Sequence, residues 1–192
     1  MKAEKTYQII LMTILGMLGS ILIGFIFYRF SIFNIYMTHF QFIACGFYGS
    51  LFFGLLDYES GKTQLGSMIA MIFFNLVIFT GKSLSAAYII RDFFYLGGLF
   101  LSLKLYHQFI KRNPNIKYYI RSLALSFIYG LIAVACGSII YILNEKISFP
   151  PINFIYMLGR YGIFIGLGIG LGLDYYYQNR IRLFTLLKIK TA

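Results

Sequence analysis

Five polar or ionisable side chains stand at depths in apolar runs where water is scarce. Arg91 and Asp92 lie about seven residues into the run 84–110, Arg160 about eight into 152–177, and His39 and Gln41 slightly shallower in 35–56. At 1.5 Å per helical residue, these groups fall within roughly 7 to 12 Å of one membrane boundary. Ionisable groups at such a depth are costly, which makes them functional candidates by default. Two guanidinium groups against one carboxylate leave surplus positive charge, so the chemistry they suit is capture of a carboxylate or phosphate, with Arg91 and Arg160 as clamps. Tyr95 and Gly98 share a helical face with Arg91, and the glycine leaves space beside the arginine. The expected site is an outward-facing polar pocket of Arg91, Asp92, Arg160, His39, Gln41 and Tyr95, with Tyr88, Tyr156 and Tyr161 near enough in sequence to line it. The structural alternative is an Asp92–Arg160 pair that ties two helices, or arginines that snorkel to the interface.

Other chemistries find little support. The chain has no paired-aspartate motif of intramembrane proteases, no HExxH and no GxSxG, so no catalytic residue is nominated. His39 and Cys45 are six residues apart and fall on different helical faces. Cys45 and Cys136 are too few for a disulfide framework or metal site, and read as small packing residues. The GxG spacings in 152–177 follow no strand, so they cannot form a dinucleotide loop. No cofactor is expected. Asp57, Glu59 and Asp174 read as solvated residues at inner span ends, His107 as exposed, and Asn75 as an interhelical hydrogen-bonder.

The elements that must hold these residues are membrane helices. Only 12% of the residues are charged, against roughly 25% in a soluble domain, so the usual solvating surface is missing. The stretch 152–182 carries six glycines and an internal arginine. In water each glycine would weaken a helix by about 1 kcal/mol relative to alanine, whereas in lipid glycines let helices approach closely. Six runs are long enough for a core of about 30 Å: 8–28, 35–56, 64–81, 84–110, 119–143 and 152–177. The boundary between the third and fourth falls at Gly81 to Ser83, and Pro114, Pro150 and Pro151 all lie between runs. The run 9–27 is longer than a secretory h-region and has no small-x-small cleavage site, so it reads as a retained span. Residues 1–192 are expected to form one all-α integral membrane domain, a compact bundle of about six transmembrane helices.

With the N-terminus inside, twelve of the 17 Lys and Arg residues fall at inner ends, and Arg29, Lys82 and Lys146 in outer loops. That split predicts N-in/C-in topology, with the bacterial cytoplasmic membrane as the location. It also accounts for the net charge of +11 through topology and anionic lipid, without nucleic acid. Gly16, Ser20 and Gly24 recur every fourth residue, as do Gly46, Ser50 and Gly54, and Gly162, Gly166 and Gly170. Each set forms a small-residue face for close helix packing, and the first is the expected contact for another membrane subunit. Span two ends GLLDYESGK and span six GLGLDYYYQNR, a weak internal likeness.

In length, span count, basic inner face and the small-residue face of its first span, the chain is similar to substrate-binding subunits of energy-coupling-factor vitamin transporters. The likeness is architectural, and the long ordered first external loop of that family is missing. It implies a transport component that takes a small solute from outside, and the arginines make that solute an anion. The segment FGLLDYESGKTQLG, 53–66, resembles part of a rod-shape-determining membrane family, although its aspartate spacing differs. That implies the alternative of a non-enzymatic scaffold or accessory subunit. A homo-oligomeric channel is the third reading. It requires a polar stripe through a whole span, and the polar groups stop short of the midplane.

Overall fold

In the computed structural model the described residues are 2–29, 35–58, 65–66, 69–70, 86–144 and 149–186. Five long helices account for nearly all of them: α1 (Lys2–Tyr28), α2 (Ile35–Tyr58), α3 (Ala86–Arg112), α4 (Tyr118–Asn144) and α5 (Ile152–Leu186). No strand occurs among the described residues. The third expected span, 64–81, lies almost wholly outside them.

Three of the helices, over Lys5–Tyr28, Tyr118–Leu143 and Ile152–Leu186, are long and apolar enough to cross a membrane, and Phe42–Asp57 is a shorter apolar stretch. Their outward faces are apolar too. Leu18, Leu22 and Phe25 on α1 and Leu123, Phe127 and Leu131 on α4 are all exposed, an arrangement that water would penalise and hydrocarbon solvates.

The chain stops and restarts its helices by simple means. Pro114 follows Asn113, whose backbone and side-chain N–H groups both donate to the Phe109 carbonyl, so α3 closes at Arg112. The Ile120 and Arg121 amides then donate to the Lys117 carbonyl and open α4. Before α5, Pro151 offers its carbonyl to the Phe154 and Ile155 amides, and its ring fixes the entry angle.

α5 is the axis of the bundle, packed along α4 on one side and α1 on the other. Two glycine faces make this possible. A Cβ on Gly162 would stand 2.8 Å from the Gly130 Cα and one on Gly170 2.8 Å from the Ser122 Cα, both on α4. On the other side a Cβ on Gly168 would stand 2.6 Å from the Ser20 Cα of α1. None of these distances admits a side chain, so glycine sets both crossings. α2 lies against α1, and α3 joins the bundle through α4 and α2.

The small-residue face of α1 is used inside the chain. Ser20 lies under Gly46 of α2, Gly16 under Ser50, and Gly24 under the Phe42 ring. The face expected to hold another subunit is therefore filled by α2 in the same chain. α5 also runs nine residues past the expected end at 177, because Phe184 is buried and Leu183 packs on the core. Its 35 residues span about 52 Å, more than a hydrocarbon core of about 30 Å.

Candidate functional site

Between α2, α3, α4 and α5 lies a cleft of about 330 Å³. It begins near the start of α5, at Phe154, Met157 and Leu158, and reaches inward to Ile165. Leu96 and Leu99 of α3 and Ala133 of α4 form most of the remaining apolar wall. Four residues with polar tips also line it: Tyr95, Tyr129, Tyr161 and Cys45. Tyr129 and Cys45 hydrogen-bond to each other across α4 and α2. Among the described residues α3 leans on α2 and α4 and not on α5, which leaves room for the cleft. Such a volume, apolar with a few convergent polar groups, has the form of a small-molecule site.

The expected site residues divide. Tyr95 is a wall of the cleft. Arg160 is half-buried, but its guanidinium faces another way, 5.5 Å from the ring centroids of Phe27 on α1 and Tyr156 on α5. Its chain neighbours Met157 and Tyr161 are cleft walls. Arg91 and Asp92 lie on α3 and His39 and Gln41 on α2, with their side chains outside the described residues. Arg91 is one helical turn from Tyr95, about 6 Å along the axis. Gly98 does not leave space beside it as expected. A Cβ there would stand 2.8 Å from the Cys136 sulfur, so α4 occupies that face.

A second polar cluster, at the opposite end of the bundle, corrects the expectation for His107 and Asp174, while Asp57 is exposed as expected. His107 Nε2 lies 2.6 Å from Asp57 Oδ1, joining α3 to α2. The Tyr177 hydroxyl donates to Asp57 Oδ2, which brings in α5. Ser122 of α4 donates to Oδ2 of Asp174. His107 and Asp174 are 8% and 4% exposed, neither of them the surface residue expected. The Phe53 ring packs against His107, Tyr106 and Tyr177 and shields the cluster. Oδ1 of Asp174 has no hydrogen-bond partner among the described residues.

One sequence signal pointed toward this cluster. Asp57 and Asp174 both occur as Leu-Asp-Tyr near the end of a glycine-bearing span. The internal likeness of those two spans thus marks two carboxylates at the same end of the bundle. Nothing in the sequence pairs His107 with Asp57, fifty residues away.

No family model matches the chain, and neither a curated protein nor a solved structure shows significant similarity to it. Among the described residues, no group of three or more His, Cys, Asp or Glu side chains could hold a metal ion.

Proposed function

We propose that this chain is a solute-binding component of membrane transport, which takes a small anionic ligand into the cleft between α2, α3, α4 and α5. In this reading it crosses the bacterial cytoplasmic membrane about six times with both termini inside, and the cleft opens outward. The observation that carries it is the cleft itself, an enclosure of about 330 Å³ at the end of the bundle where Arg91, Asp92 and Arg160 occur. The apolar body of the ligand lies against Leu96, Leu99 and Ile165, and the tyrosine hydroxyls orient it. At the rim Arg91, and Arg160 once its guanidinium turns from the Phe27 and Tyr156 rings, meet its negative charge. A scaffold would have no use for such an enclosure, and a channel would need polar groups beyond the midplane. Partners such as an energising subunit would attach elsewhere than Gly16, Ser20 and Gly24, which pack on α2.

The test is native mass spectrometry of the protein extracted from its own host in mild detergent. The expected spectrum shows a retained small molecule bearing a carboxylate or phosphate, or transport subunits that co-purify. Met157→Trp fills the cleft from its wall, and the variant should lose the small molecule while it stays folded. A wild-type protein that carries lipid alone, with no small molecule and no transport subunit, would overturn the proposal.

A further inference from the structure

The turn between α3 and α4 holds a feature that solute capture does not use. A groove of about 610 Å³ is lined by Pro114, Lys117, Tyr118, Tyr119, Arg121 and Gln178, among others, with no acidic residue in its wall. Arg121 is fixed in place: its Nε donates to the Ile116 carbonyl at 3.1 Å and its Nη2 to the Pro114 carbonyl at 2.7 Å. Its guanidinium also lies 4.9 Å from the Tyr118 ring centroid, and the Lys117 ammonium 5.9 Å from that of Tyr119.

These charges are placed against the helices' own electrostatics. A helix start favours Asp or Glu, because its amides present the positive end of the macrodipole. α4 has no acidic residue in its first turn, and Lys117 and Arg121 add two cations there. α3 ends beside them on Lys111 and Arg112, which its own C-terminal carbonyls favour but do not neutralise. Among the described residues no carboxylate forms an ion pair with any of these four. Asp174 is within electrostatic reach of Arg121, but it is buried and takes the Ser122 hydroxyl. The concentration of positive charge makes the groove attractive to an external anion.

The surface below the groove identifies which anion. Tyr119, Leu123, Phe127 and Leu131 are all exposed and follow at four-residue intervals, so they form one apolar track along α4 that starts in the groove. A soluble anion would use only the groove. A ligand with a phosphate head and long alkyl tails would use both.

We propose that the α3–α4 groove is a binding site for an anionic phospholipid, with its phosphate between Lys117 and Arg121 and an acyl chain along Leu123, Phe127 and Leu131. Basic pockets at the membrane interface recognise lipid head groups in this way. The site is independent of the cleft and of its ligand.

The experiment is native mass spectrometry of the whole protein with equimolar phosphatidylglycerol and phosphatidylcholine in detergent micelles. The wild type should take phosphatidylglycerol first. One cation near the surface contributes about 1 kcal/mol, so Lys117→Gln should cut that preference about fivefold. Lys104→Gln, an exposed lysine on α3 outside the groove, should leave it unchanged, and Phe127→Ala should weaken long-chain more than short-chain phosphatidylglycerol. Inorganic phosphate serves as the competitor. If phosphate alone binds as tightly as the lipid, the ligand is a soluble anion and the proposal falls. Equal loss in Lys104→Gln and Lys117→Gln would show diffuse surface charge and overturn it too, as would a wild type without preference.

Discussion

Near the ends of α2 and α3 and the start of α4, Asp57 is held by His107 and Tyr177, and Asp174 by Ser122, so side-chain bonds link four helices. At the other end the same four helices leave a cleft walled by rings and alkyl groups. There the polar contacts include Arg160 against two rings and Tyr129 with Cys45. The difference lies in what holds the helices at each end. Among the described residues polar ties fix the helices at set points at the His107 end, while the cleft end relies more on shape, and shape tolerates an unfilled space. A bundle built this way can bind at its loose end without disturbing its tied end.

The firmest test of this division is at the crossing that both ends share. Gly168 lies where α5 meets α1, and a Cβ there would stand 2.6 Å from the Ser20 Cα, where only backbone movement could make room. Gly168→Leu should separate α1 from α5. The cost should exceed the roughly 1–3 kcal/mol usual for overpacking, because the obstacle is main chain and not a flexible side chain. Thermal unfolding in detergent would show it. A variant that melts within a few degrees of the wild type would mean that α5 is not the axis of the fold.

Next in size is the polar cluster. Asp57→Ala leaves the buried His107 and the Tyr177 hydroxyl without their acceptor and should cost about 1–3 kcal/mol, as stranding a buried polar group does. His107→Ala alone should cost less, because Asp57 keeps Tyr177. The double variant should fall short of the sum by about 0.5–2 kcal/mol if the two residues act on each other. A strictly additive cycle would break the contrast, since the His107 end would then be held by packing like the cleft end.

Much of this architecture is legible in the amino-acid pattern, because a bilayer leaves few alternatives. Long apolar runs must be helical, and four of the expected spans end within two residues of α1, α2, α3 or α4 at their C-terminal sides. The end of α5 is not legible in that way. Arg180 and Arg182 interrupt the hydropathy, yet Leu183 and Phe184 continue the buried face. The site is half legible. Depth along a helix follows from counting residues, which places Arg160 near the cleft. Rotation about the helix axis depends on neighbours, and the glycine faces of α5 turn Arg160 toward Phe27. The pairing of His107 with Asp57 needs the packing of α3 on α2, which no local pattern encodes.

Arg160 therefore offers the smallest change in stability and the sharpest test. Its stacking on Phe27 and Tyr156 contributes about 1–2 kcal/mol at partial burial, so Arg160→Ala should lower the melting temperature modestly and leave the protein folded. Arg160→Lys keeps the charge and loses the planar fork that suits a carboxylate or phosphate. If the arginine meets the ligand, both variants should lose the thermal stabilisation that the purified ligand confers on the wild type. Arg160→Met, which keeps an unbranched chain against the rings, should recover much of the stability and none of the ligand response. If all three variants keep the wild-type response, Arg160 ties α5 to α1 and nothing more. Anion capture would then lose one of the two arginines on which it rests, while the cleft would still be open to a neutral ligand.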